Sequence, residues 1–172
     1  MSANVPEVLD VWRMAAARRQ FEGVLPLARL QRLAGSLLDT EGEVRYALEF
    51  GRGDGTLKVP PYVELSIDAG LPLQCQRSLQ RFVLPVKLVQ RLGLIRSEAE
   101  EAALPPGYEP LLVPEDGMVR PADLVEDELV LAVPLVPVAP DSAPVEQQWP
   151  AEVEEEVTPS PFAALAALKK ER

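Results

Sequence analysis

The chain has 172 residues, 47% of them hydrophobic, and a net charge of −10, enough for one domain with a real core. One cysteine and no histidine exclude an internal disulfide and imidazole acid–base chemistry, and leave the usual zinc ligands missing. Aromatic residues make up 5%, too few for a broad base-stacking surface.

The acidity is uneven. Residues 1–100 carry 13 Lys and Arg against 12 Asp and Glu, and residues 101–172 carry 4 against 15. A basic patch on the first part stays open, with the acidic C-terminal part able to repel nucleic acid or shield that patch. The start, MSANVPEVLDVW, has no basic region followed by an apolar stretch. No apolar segment reaches the ~20 residues that span a bilayer. The expected compartment is the cytoplasm, without membrane contact.

In chain order, residues 1–20 predict an amphipathic helical start with Val8, Val11, Trp12 and Ala15 on one side. Phe21 to Leu27 suits a short strand. Pro26 then opens a helix with Leu27, Leu30, Leu33, Ala34 and Leu37 as its apolar stripe. Arg29 and Arg32 face water in that reading, as a phosphate-binding face or, more commonly, a solvated one.

Glu43 to Phe50 alternates, with Val44, Tyr46, Leu48 and Phe50 on one face, and GRGDG after it is a hairpin turn. That loop lacks the lysine and the following helix of a phosphate cradle. Leu57 to Leu73 is extended and interrupted by Pro60-Pro61, with a turn expected at Ala69-Gly70. Leu79 to Leu88 gives a third strand, with Phe82, Leu84 and Val86 opposed to Arg81, Val83, Pro85 and Lys87. Residues 97–110 read as a mobile acidic connection, and EPLLVPEDG as a short strand and turn.

Met118 to Pro140 holds the longest apolar run. Pro121 suits a first helical turn, where Asp123, Glu126 and Asp127 complement the helix dipole. At about 100° per residue, Val125, Leu129, Ala132 and Val133 share one face, and those three acids share the other. Glu128 falls inside the apolar arc, so it needs the edge of the buried face or an arginine of the sheet. Glu126 is then the exposed interaction candidate. Pro134 and Pro137 end the helix. From Ala139 to Pro161 there are six acidic residues, five prolines and no basic residue, the composition of a disordered linker. SPFAALAALKKER closes the chain as a short capped helix, docking on a partner or on its own domain.

The expected fold class is therefore α+β. An antiparallel β-sheet packs with two or three helices over residues 1–138. An acidic Pro-rich linker follows over 139–160, and a short C-terminal helix over 161–172.

Candidate chemistry is sparse. Cys75 lies close to Arg77 and Arg81, which could lower its pKa, yet a lone cysteine near a strand is commonly a small buried hydrophobe. Glu126 and Glu128 are two apart and point to different sides of a helix. No catalytic constellation, metal site or cofactor is expected.

The ordered succession of LPLQCQRSLQRF, LPPGYEPLLV, DLVEDELVLAVPLVPV and PFAALAALKK resembles the YceD-like family, the large ribosomal RNA subunit accumulation proteins of bacteria. The resemblance runs from about Phe21 to the C-terminus. It marks Cys75, Gln76 and Arg77, then Glu126, Glu128, Pro134 and Pro137, then Pro161 and Phe162. Many members have a second cysteine where this chain has Ser78, and some have more after the Pro137 region, which would suggest zinc in those members. Asp141 to Pro150 contains neither Cys nor His here, so no metal is expected in this chain.

The resemblance implies a non-enzymatic factor supporting synthesis, processing or stability of large-subunit (23S) ribosomal RNA in ribosome biogenesis. Its partner would be precursor rRNA or a ribosome-assembly or RNA-processing protein. Candidate contacts are Arg77, Arg81, Lys87 and Arg91 of the β-region, with Glu126 and Glu128 of the helix. The competing reading is an adaptor that binds a basic protein without contacting RNA.

Overall fold

The structure is a computed structural model that describes residues 5–53 and 59–142. In chain order it contains β1 (Leu9–Asp10), α1 (Val11–Ala16), β2 (Gln20–Pro26) and a 3-10 turn at Leu27–Arg29. Then come α2 (Gln31–Ala34), β3 (Glu43–Gly51), β4 (Tyr62–Gln74) and β5 (Arg81–Ile95). A 3-10 segment at Glu98–Ala103, β6 (Glu109–Leu112), β7 (Met118–Val119) and α3 (Pro121–Ala132) complete it. The α+β expectation is met. Strands β2 to β6 form one sheet in sequential order, antiparallel except for the final parallel β5–β6 pair. β1 and β7 make a separate two-stranded ribbon.

The predicted alternation sets the layers. Val44, Leu48, Val63 and Leu65 are buried on one face of the sheet. Val11 and Ala15 of α1, with Leu124, Val125 and Leu129 of α3, belong to the same core. The opposite face carries the charged rows, because register puts Gln20, Glu49, Glu64 and Arg91 opposite one another. A second row is Val24, Arg45, Asp68 and Lys87.

Four local expectations are corrected. The predicted turn at Ala69-Gly70 is the middle of β4, with Ala69 paired to Val44 and to Val86. Gly70 is there for a close approach: a Cβ on it would stand 2.8 Å from Val83 Cγ1. The helix expected from Leu27 to Leu37 is broken at Leu30, whose ψ of 85° is not helical. The amphipathic start is a strand and a short helix, capped by Asp10 through Arg13 N–H at 3.0 Å. The segment read as a mobile connection over 97–110 holds the 3-10 turn and the start of β6. By contrast, α3 begins at Pro121 and ends just before Pro134, as its prolines require. The expected terminal helix lies outside the described residues, as does most of the linker.

Gly23 in β2 faces Tyr46 in β3, whose ring lies across it; a Cβ there would sit 2.5 Å from the ring. Tyr46 is itself buried, so displacing its ring disturbs the packing around it. Gly23→Val is expected to lower the unfolding free energy by about 1–3 kcal/mol through overpacking. An unchanged urea midpoint would refute that packing account.

Candidate functional site

The acidic pair of α3 divides its roles in the opposite way from the sequence expectation. Glu126 is buried, at 7% exposure. Its Oε1 accepts the backbone N–H of Arg32 at 2.6 Å and of Leu33 at 3.2 Å. Its Oε2 accepts Arg32 Nε at 3.1 Å, and Asp127 takes Arg32 Nη1. Those two N–H groups lie in the first turn of α2, which has no side-chain cap of its own. A carboxylate from another helix supplies it. Arg32, expected to face water, therefore faces α3.

Glu128 is the half-buried one, and no arginine of the sheet holds it. Burial pushes its carboxyl pKa up, and repulsion from Glu109 and then Asp127 adds to that. The reversal has a physical cause. The buried arc of α3 includes the flank that meets α2, and the backbone donors of α2 make a carboxylate acceptable there.

The second constellation is at the tip of the β4–β5 hairpin. Cys75 N–H donates to the Gln80 carbonyl at 2.9 Å, and Gln76 N–H to the Pro137 carbonyl at 2.8 Å. Arg77 Nη1 donates to the Ser142 carbonyl at 2.9 Å. The buried Cys75 sulfur accepts N–H from Ser78 at 3.5 Å and from Ala139 at 3.4 Å. Motif residues some sixty positions apart are thus clasped together. Ala139 and Ser142, assigned to the linker by composition, take part in that clasp. Hydrogen bonds from the Ser78 side chain, then from Ala139 and Ser78 N–H, outweigh burial and lower the Cys75 pKa from 9.0 to about 6.

The remaining candidate cations stand on the outer face of the sheet, each beside a carboxylate. Arg81 Nε meets Asp39 at 2.7 Å and lowers its carboxyl pKa. Lys87 meets Asp68 at 3.1 Å, and Arg91 meets Glu64 at 2.6 Å. The last two are cross-strand pairs by register. A cleft of about 930 Å³ crosses four strands near Lys87, with Val24, Ala47, Ser66 and Val89 in its lining. Among the described residues no group of His, Cys, Asp and Glu is arranged to hold a metal. No helix there is long and apolar enough to cross a membrane.

The family described as "Large ribosomal RNA subunit accumulation protein YceD" matches residues 63–169, more than half of the chain. The chain belongs to the YceD family. A Haemophilus influenzae protein of that name is 28% identical over 173 residues, covering 97% of both chains. No solved structure matches. The YceD match begins in β4 and includes the hairpin tip, α3 and the segment after it. Pro161 and Phe162 lie within it but outside the described residues. Arg32, on the other side of the Glu126 contact, lies before the matched span.

Two predictions follow from these contacts. Glu126→Ala leaves two backbone N–H groups and the Arg32 Nε donor without their acceptor, while Arg32 Nη1 keeps Asp127, and is expected to lower stability by about 2–4 kcal/mol. Arg32→Ala should lower it less, since that side chain is 56% exposed. Equal losses in urea denaturation would mean the backbone bonds contribute nothing. Cys75 has a folded pKa below its unfolded value, so its thiolate adds stability at pH above about 9, lost as pH falls through about 6. The gap in urea midpoint between the wild type and Cys75→Ser is therefore expected to widen as pH rises across that window. A constant gap would exclude a stabilised thiolate.

Proposed function

We propose that the protein is a non-enzymatic factor in ribosome biogenesis that supports synthesis, processing or stability of large-subunit ribosomal RNA. The observation that carries this reading is the YceD match, joined to a full-length relative named for the same role. The chemistry of the motif residues supports it. Glu126 is committed to two backbone N–H groups, and Cys75 is enclosed by its own turn and Ala139. Groups that are consumed in holding backbone together are poor candidates for acid–base or nucleophilic work. The protein then acts by binding, and its partner is precursor rRNA or a protein that assembles or processes it.

On this reading Arg91, itself paired with Glu64, is the best placed of the strand cations named from the sequence, because Arg18 and Arg52 line the same cleft. Arg77 is turned toward the Ser142 carbonyl, and Arg81 and Lys87 are held by Asp39 and Asp68. Gradient sedimentation of cell extract tests the proposal. The protein is expected to migrate with large-subunit precursors and to leave them on salt washing. Depletion should lower large-subunit relative to small-subunit rRNA. Confinement to the top of the gradient with an unchanged rRNA ratio would overturn it.

A further inference from the structure

The cations along the middle of the sheet are neutralised where they stand; one end differs. A cleft of about 640 Å³ opens there, lined by residues from β2, β3, β4 and β5. Arg18, Arg52 and Arg91 bring three guanidinium groups to it, against the carboxylates of Glu49 and Glu64. Both carboxylates are engaged, Glu64 by Arg91 Nε at 2.6 Å and Glu49 by the Gln20 amide at 3.4 Å. Arg18 is exposed and makes no ion pair among the described residues.

Aromatic side chains are scarce, yet two of the three tyrosines meet here. The rings of Tyr62 and Tyr108 pack edge to face with centroids 5.6 Å apart. In register Tyr62 is flanked by Gly51 and Gly93. A Cβ on Gly51 would sit 2.5 Å from the Tyr62 ring, so that ring lies over the neighbouring strand. Arg18 adds an independent oddity. Its φ is +49°, a region where glycine is the usual residue. It closes α1 by donating its N–H to the Ala15 carbonyl at 3.2 Å. An arginine at that point puts a guanidinium at the cleft where glycine would fit with less strain.

We propose that this cleft binds an unpaired nucleotide of RNA, with its phosphate on Arg18 and Arg52 and its base against the Tyr62–Tyr108 pair. The inference rests on the rRNA reading above and names the contact surface for it. Guanidinium forks match phosphate oxygens with paired donors, and tyrosine faces accept any base that is out of a helix. The volume is that of a small-ligand site. Glu49 and Glu64 repel further phosphates, which disfavours a long duplex backbone and leaves a looped or bulged nucleotide as the ligand.

Fluorescence anisotropy of the full chain with a mixed-sequence single-stranded oligoribonucleotide, and with duplex RNA of equal length, tests the proposal. The single strand should bind more tightly, with affinity falling as salt rises. Arg18→Gly suits the positive φ and preserves the fold. Combined with Arg52→Gln, it is expected to weaken binding about tenfold or more and flatten the salt dependence. Tyr108→Leu should weaken it about fivefold or more with the salt dependence retained. Lys87→Gln, on the same face but paired with Asp68, should leave affinity unchanged. Absent binding at low salt, equal affinity for duplex, or insensitivity to the Arg18, Arg52 and Tyr108 changes would overturn the assignment. So would loss of a basic protein partner by these variants without any RNA binding. If any of these results came while the protein still sedimented with large-subunit precursors, the cleft alone would be refuted and the proposed function would stand.

Discussion

The contact on which the rest of the structure depends is the carboxylate of Glu126 set against the first turn of α2. Taking a charged group out of water is unfavourable unless its lone pairs are filled. Here both oxygens are filled, one by two backbone N–H groups and one by a guanidinium. The contact also solves a problem on the other side. A four-residue helix leaves most of its backbone groups without internal partners, and α2 has no side-chain cap. Glu126 turns two shortages into one bonded unit, and in doing so ties the chain between β2 and β3 to the chain after β7.

That tie determines where α3 points and so where the segment beyond it goes. Val133 leaves the helix in an extended conformation, and Pro134 and Pro137 keep the chain from re-entering a helix. Its carbonyl at Pro137 and N–H at Ala139 then satisfy the hairpin tip at Gln76 and Cys75. The far end of the long β4–β5 hairpin is thereby held against a segment whose position is set by Glu126. Leu38 N–H donates to the Pro72 carbonyl at 2.9 Å, so the connection after α2 reaches the same hairpin. Glu126 is the point from which two separate paths arrive at that tip.

Periodicity revealed the parts of this arrangement that are local. The alternation of Val44, Tyr46, Leu48 and Phe50 located β3 to within a residue, and Pro121 located the start of α3. It failed wherever a residue answers to something distant. Gly70 looks like a turn until Val83 is placed beside it. Glu126 and Glu128 differ by two positions on a helix, and only the presence of α2 on one flank decides which is buried. The Cys75 clasp joins residues more than sixty apart, with Ser142 drawn from a stretch whose composition reads as linker. Of the cleft arginines the sequence singled out Arg91 alone, and its grouping with Arg18 and Arg52 was hidden for the same reason. Arg18, Arg52 and Arg91 come from three separate segments, and no spacing in the chain relates them.

The two groups of residues also sit differently with respect to the family match. The match begins at residue 63, so the hairpin tip and α3 lie inside it, and these are the parts that hold the fold together. The cleft is assembled across that boundary. Tyr108 and Arg91 lie within the matched span, whereas Arg18, Arg52 and, by one residue, Tyr62 lie before it. Pairing of β3 with β4 over eight residue pairs brings the two sides together. A cleft of this kind exists only when the N-terminal strands have docked. Anything that loosens the contact of Glu126 with α2, and with it the chain between β2 and β3, therefore loosens one wall of the cleft without touching it.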